Sequence, residues 1–401
     1  AYLVWLFERG NASGGLVLDI AQVEREGRIE TRVLFAVGNP PSNEFLLQLL
    51  EVFNRLNIGI RRAYCQTISN GIHPYFLGAF FVISRDGKDI SPKSEMAARL
   101  KRELCTTQII AISSPAYTEY VVKGLLTGED GALVDSFIAF CHTSLAHGQP
   151  DRFGLEDVQT AFYDHPEMAQ LLIRLFRLRF DPDISDRENR YEEARSEAHT
   201  AVEGYNTGHR WLDDIRRAVY RCCLLLITHT LKTNFFVVEK QALAFRIDPA
   251  YLRLLGKEFT AGLPEVLPFR VTFFFSRFGA GYHIGFSDIA RGGWRTVIAR
   301  SADDYITSAN TLFREVYVLA HTQHLKNKDI YEGGSKMVLV LDASDLEQAG
   351  AEDENCRLYK LQYGIANAFL DIFVTADGVA GDRGVVDYYR DDEPIEIGPD
   401  E

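Results

Sequence analysis

The densest chemistry in the sequence lies between Phe286 and Asp342, where cationic side chains stand beside paired glycines. Ala290-Arg-Gly-Gly-Trp-Arg295 is followed by a helical run, then Gln323-His-Leu-Lys-Asn327, and ten residues after Lys326 comes Lys336, closing Gly333-Gly-Ser-Lys336. Paired glycines admit close backbone approach because no Cβ stands in the way. Cations beside them imply an anionic ligand, and Arg291, Gly292, Gly293, Gln323, Lys326 and Lys336 are the candidate contacts.

Spacing says which elements must position them. Ile306, Ala309, Phe313, Val316 and Ala320 recur at three and four, the mark of an amphipathic helix, and Asp303 and Asp304 suit its N-terminal turn. Gln323 and Lys326 are three apart near its C-terminal end and can point the same way. Lys336 is expected at the end of a Gly-Gly-Ser-Lys turn that leads into a β-rich run, Met337 to Leu341, with Arg291 and Arg295 arriving from a preceding turn. Taken alone, Lys326 has a second reading as a lysine that satisfies helix C-terminal carbonyls. His321 and His324 share a helix face but have no evident third metal ligand. Gly-Ser-Lys is no phosphate loop, which needs Gly-Lys-Ser/Thr opening a helix.

These motifs resemble the substrate domain of glutamate dehydrogenases, and within them the large, multidomain NAD-specific bacterial class. Ala290–Arg295, Gln323–Asn327 and Gly333–Lys336 carry the likeness, with Leu231-Lys-Thr-Asn-Phe-Phe236 and Phe245-Arg-Ile-Asp-Pro249 upstream. The resemblance implies reversible oxidative deamination of L-glutamate to 2-oxoglutarate and ammonium. It assigns Lys336 as the catalytic lysine and gives Gln323 and Lys326 to the α-carboxylate. It places Arg291 at the side-chain carboxylate beside Gly292 and Gly293, and makes Asp400, after a Pro-Ile-Glu-Ile-Gly strand, the catalytic aspartate and proton relay. Such chemistry needs a lysine held partly unprotonated by desolvation and neighbouring cations. Lowering it from about 10.4 to about 7.5 takes roughly 4 kcal/mol of differential interaction.

Four hundred and one residues with 46% apolar content suffice for two or three domains with proper cores. The net charge of −13 argues against a nucleic-acid binder. It is uneven: 4 basic stand against 15 acidic residues from Ser344 onward, but 8 against 6 from Arg277 to Lys336, so the candidate site lies in a locally basic segment. Six cysteines without Cys-x-x-Cys or zinc spacing read as reduced, mostly buried thiols. No apolar run of eighteen residues suggests a membrane span, and the expected setting is soluble and cytoplasmic. Opening without Met and stopping on Pro399-Asp400-Glu401, the sequence reads as a piece of something longer.

In chain order, the expected fold class is α+β/α/β and multidomain. Residues 1–114 should form a hairpin plus a ferredoxin-like, ACT-like β-α-β-β-α-β module. Its parts are strand Tyr2–Phe7, strand Leu16–Val23, a turn at Glu26–Arg28, and strand Val33–Val37. Then come a helix from Pro40-Pro-Ser-Asn43 to Leu56, strands Ile60–Ile68 and Tyr75–Ile83, helix Pro92–Leu104 and strand Gln108–Ile112. By the same resemblance this module is regulatory, binding an amino acid or pairing sheet edges in a homo-oligomer; plain scaffolding is the rival reading. Residues 115–230 read as a helical linker domain with breaks at Gly128–Gly131 and His147–Pro150. Residues 231–401 read as a mixed-sheet substrate domain, with strands at Asn234–Val238, Ala242–Ile247, Phe269–Phe275 and Tyr282–Phe286 and a hairpin turn at Gly279–Gly281.

No Gly-x-Gly-x-x-Gly follows a strand and opens a helix, and Gly378–Gly384 has the wrong spacing and reads as an acidic loop. NAD is therefore expected on a domain outside this chain, and the chain alone should bind substrate without turning it over. The rival is a non-catalytic ligand-binding or assembly module that keeps the dehydrogenase substrate fold. Met337, where the family commonly has glycine, would then mark lost activity or a narrowed site.

Overall fold

The computed structural model describes residues 2–12, 15–25, 27–41, 44–69, 71, 73–346, 351–376 and 379–400. The chain opens with helix α1 (Tyr2–Ala12) where a strand was expected. A six-residue apolar run fits either element, and here Leu6 packs with Leu34, Ala36, Tyr75 and Leu77 as one face of a helix laid on a sheet. Strands β1 (Leu16–Arg25) and β2 (Arg28–Gly38) form the hairpin. Helix α2 (Phe45–Arg55), strands β3 (Ile58–Ser69) and β4 (Pro74–Ser84), and helix α3 (Glu95–Thr106, capped by the Ser94 hydroxyl) follow. The expected helix start at Ser42–Asn43 and the residue Glu26 of the expected turn lie outside the described residues.

The module's sheet is antiparallel throughout, in the order β1-β2-β4-β3. No strand forms at Gln108–Ile112, and the edge beside β2 is taken by β1 instead. The backbone acceptors there are claimed by side chains: Gln48 Nε2 donates to the Ile110 carbonyl at 2.8 Å, and Arg277 Nη1 donates to the carbonyls of Thr107 and Ile110 at 2.8 and 2.9 Å. Ile109 and Ile110 are buried in a turn that docks the module on the rest of the chain.

A helical layer follows a π-helical turn at Tyr117–Val121: α4 (Gly128–Ala146), α5 (Leu155–Tyr163), α6 (Pro166–Phe180), α7 (Arg187–Glu203) and α8 (Arg210–His229). Gly128–Gly131, expected as a break, opens α4, because the Thr127 hydroxyl accepts from the Asp130 N–H and Glu129 and Asp130 favour the first turn.

The remainder builds an eight-stranded mixed sheet. Its strands are β5 (Thr230–Thr233), β6 (Leu243–Ile247), β7 (Arg270–Ser276), β8 (Gly279–Gly285), β9 (Ala290–Ala299), β10 (Gly333–Asp342), β13 (Val386–Asp387) and β14 (Ile395–Pro399). The order is β13-β5-β6-β7-β8-β10-β9-β14, with β9 parallel to both β10 and β14. Short helices α9 (Leu252–Leu255) and α10 (Lys257–Thr260) lie between β6 and β7. Helix α11 (Ala302–Lys326) joins β9 to β10, α12 (Ala351–Phe373) follows β10, and β11 (Thr375–Ala376) pairs β12 (Val379–Ala380). Gly378 of the expected acidic loop lies outside the described residues.

Four expectations fail here, the last three of them for one reason. Asn234–Val238 is a turn, whereas Gly279–Gly281 and Gly333–Lys336 lie inside strands, as does Ala290–Arg295. Their glycines serve close strand packing: a Cβ on Gly279 or Gly281 would run into the backbone carbonyl of Val340 or Val338. The sheet is covered on both faces. Phe273, Tyr282, Ile284 and Val338 pack toward the helical layer and α11, and Phe274, Met337, Leu339 and Leu341 pack toward α12. One core thus runs through the helical layer and the sheet.

A candidate active site at the end of the parallel strands

Strand alternation decides which side chains meet. Lys336 stands beside Gly293, and Gly293 beside Gly398. Arg291, Gly293 and Arg295 therefore share the Lys336 face of the sheet, and Asp400 follows β14 on that side. Gly293 leaves the space in which Lys336 and Asp400 meet, since a Cβ there would collide with the Asp400 side chain. The Asp400 N–H donates to the Trp294 carbonyl at 2.8 Å, which fixes the residue just past the strand end.

Helix α11 brings the second set of groups. Ser301 caps it through the Asp304 N–H, and Leu312, Phe313, Val316 and Tyr317 bury one face against the sheet. Gly334 lets its C-terminal end close on the start of β10, because any side chain there would overlap the backbone of Gln323 and His324. The Gly334 N–H donates to His324 Nδ1 at 3.3 Å, and Asn327 Nδ2 to the Gly333 carbonyl at 3.4 Å. His324 is thereby employed in joining helix to strand.

Arg291, Gly292, Gly293, Gln323, Lys326, Lys336 and Asp400 all line one open cleft of about 560 Å³, together with Leu319, Thr322, Ser335 and Glu396. Lys336 Nζ and the Asp400 carboxylate are in direct ion-pair contact, the lysine side chain 13% exposed and the aspartate 51%. Burial holds the Lys336 amine below the usual lysine range, with Arg295 and Lys326 adding repulsion and Glu315 opposing.

Lys326 reaches the cleft from an exposed position, and Gln323 Nε2 donates to Asn327 Oδ1 at 3.1 Å. Arg291 is half-exposed at the rim, its Nε 3.1 Å from Glu332 Oε2, so its guanidinium already has an acidic partner. Arg295 likewise pairs with Glu315 at 3.4 Å. Gly292 is on the other face, and a Cβ there would strike the Ser335 carbonyl. Its role is strand packing. Met337 is fully buried, pointing away from the cleft among Leu339, Leu341 and Leu361. It does not narrow the site.

Sequence reading missed a second cluster behind the same sheet. Lys232, Arg246 and Arg270, all buried, converge on the buried Glu393. Arg246 Nη2 lies 2.9 Å from Glu393 Oε1, Lys232 Nζ 3.3 Å from Oε2, and Arg270 Nε 3.5 Å from Oε1. Lys232 also faces Asp387 at 3.3 Å. Burial pushes Arg270 down to about 10, with Glu393 opposing and Arg246 adding to it. His283, fully buried beside these cations, is pushed down to about 3 and is neutral. A signal existed: Lys232 and Arg246 sit inside the two upstream motifs that carried the resemblance. Glu393 precedes β14 and anchors the segment that delivers Asp400.

Comparison with known proteins agrees with the resemblance. Residues 211–397 match the family described as bacterial NAD-glutamate dehydrogenase, catalytic domain. Glutamate dehydrogenase 2 of Dictyostelium discoideum is 31% identical over 286 residues, 71% of this chain and 24% of that protein. The NAD-specific glutamate dehydrogenase of Neurospora crassa is 40% identical over 171 residues, 43% of this chain and 15% of the relative. That of Saccharomyces cerevisiae is 44% identical over 117 residues, 29% and 10% respectively. The chain thus spans a quarter or less of the length of these relatives. The likeness to large NAD-specific glutamate dehydrogenases is borne out over that part.

Proposed function

We propose that this chain is the regulatory and substrate-holding part of an NAD-dependent glutamate dehydrogenase that interconverts L-glutamate with 2-oxoglutarate and ammonium. The observation that carries the reading is the Lys336–Asp400 contact, set in a cleft that also presents Arg291, Gln323 and Lys326. In this reading Lys326 and Gln323 hold the α-carboxylate and Arg291, exchanging Glu332 for the ligand, takes the side-chain carboxylate. Both are charge-assisted contacts of the strong kind. Lys336, lowered by burial and by neighbouring cations, takes a proton from the attacking nitrogen and gives it to the departing oxygen. Asp400, touching Lys336 and open to water, relays protons between that amine and solvent. Gly293 keeps the two in contact.

Among the described residues, the helix that links the parallel strands β9 and β10 does not suit a dinucleotide. Helix α11, which follows the parallel strand β9, opens on Asp303 and Asp304, whose charges would repel a pyrophosphate. NAD is accordingly assigned to a domain outside this chain, and the chain alone should bind substrate without turnover. The N-terminal module is assigned as an ACT-like regulatory unit of a cytoplasmic homo-oligomer. Met337 gives the rival, non-catalytic reading no support, because its side chain never reaches the cleft.

The test is steady-state activity of the full-length protein with NADH, ammonium and 2-oxoglutarate. Lys336→Ala should lower kcat about 10²- to 10⁴-fold. An undiminished rate would overturn the assignment.

A further inference from the structure

The two cations that would grip the ends of a dicarboxylate, Lys326 and Arg291, stand in opposite charge surroundings. Lys326 is exposed on the last turn of α11, and no described carboxylate pairs with it. Arg291 is bracketed by two. On one side Glu332, the residue before β10, lies 3.1 Å from its Nε through Oε2. On the other, Glu396 of β14 is its register partner across the parallel pair of β9 and β14. Register partners point to the same face of a sheet, so Glu396 lines the same cleft from beside Arg291. Asp400, the other carboxylate in the cleft lining, is taken by Lys336.

A guanidinium receives a carboxylate best along an edge of two N–H groups. Glu332 already holds the Nε edge, and Glu396 sets a second negative charge beside whatever anion approaches the remainder. A carboxylate that arrives at Lys326 displaces water, whereas one that arrives at Arg291 must displace an ion pair and meet like charge. We infer that Glu332 and Glu396 compete with the ligand for Arg291 and thereby set how sharply the cleft separates 2-oxo acids with a far carboxylate from those without one. With both glutamates present, the far carboxylate adds little to affinity and the α-carboxylate at Lys326 carries most of it. This competition rests on the substrate-cleft reading proposed above and adds to it the residues that fix how wide the substrate class is. Both glutamates act through Arg291 and are positioning residues.

Calorimetry of this chain at low salt tests it, with 2-oxoglutarate and with 2-oxopentanoate, which has the same length and no far carboxylate. Glu332→Gln and Glu396→Gln should each tighten 2-oxoglutarate roughly two- to fivefold, the reach of an exposed ion pair, and leave 2-oxopentanoate unchanged. In an Arg291→Ala background Glu332→Gln should no longer tighten 2-oxoglutarate, a coupling that a general structural role would not produce. Thermal unfolding shows that the variants are folded. Weaker 2-oxoglutarate binding in Glu332→Gln overturns the competition, because the glutamate then holds Arg291 in place for the ligand. Equal tightening of both ligands overturns it as well. A 2-oxoglutarate heat that persists in Lys326→Ala, or no heat in any variant, overturns the cleft reading along with it. A heat lost in Lys326→Ala but unmoved in both glutamate variants overturns the competition alone.

Discussion

Two cation clusters lie back to back across one sheet, and they are used in opposite ways. On one face Lys232, Arg246 and Arg270 are buried around Glu393 and Asp387. On the other, Lys326, Lys336 and Arg291 border an open cleft with Asp400. Glu393 and Asp400 stand at the two ends of the same short edge strand, β14, which pairs with a single neighbour. The rear cluster spends its charges on holding that strand; the front cluster leaves charges partly unspent for a ligand. What separates them is the face of the sheet on which strand alternation puts each side chain, Lys232, Arg246 and Arg270 from β5 to β7 on one and Arg291 and Lys336 from β9 and β10 on the other, not residue type.

The sharpest way to break this contrast is to remove each carboxylate in turn. Glu393→Ala strands the buried Arg246 and Arg270, leaves Lys232 only Asp387, and should cost about 3–5 kcal/mol of unfolding free energy, read by denaturant titration. Asp400→Asn, half-exposed, should cost less than about 1 kcal/mol in the same titration, yet slow the full-length enzyme about 10²-fold or more. Equal stability losses would erase the distinction. A smaller effect is expected of Gly293→Ala, whose methyl group displaces the Asp400 carboxylate: roughly tenfold lower kcat, about 1.4 kcal/mol in the barrier, and little further loss when it is added to Asp400→Asn, because both variants remove one contact.

A buried amine away from both clusters, Lys360 of α12, sharpens the comparison through pH. Burial, with Arg277 adding to it, pushes the Lys360 amine down to about 7, against about 10.4 in an unfolded chain. Between those values the unfolded chain holds a proton the folded chain has released, so raising the pH favours the fold. Unfolding free energy of the wild type should therefore climb from pH 7 to pH 10 relative to Lys360→Met, and parallel curves would contradict it.

The front cluster was legible because it is local. The stripe from Ala309 to Ala320 announces α11, and Gln323, Lys326 and Lys336 follow by spacing. Their supports were not. Paired glycines at 292–293 and 333–334 read as turns, but they lie in strands, because what approaches those backbones is another strand or a helix end. Tyr2–Phe7 was too short to separate helix from strand. The strand expected at Gln108–Ile112 is lost to Arg277, which lies far along the chain. The rear cluster joins residues 232, 246, 270 and 393, a convergence that only the strand order creates.

The central claim is that the front cleft grips a dicarboxylate, and the most direct measurement is calorimetric titration of this chain with 2-oxoglutarate. A saturable heat that disappears in Lys326→Ala, with the variant still folded, is the predicted result. The same heat in Lys326→Ala and Lys336→Ala as in the wild type, or no heat in any of them, would contradict the account.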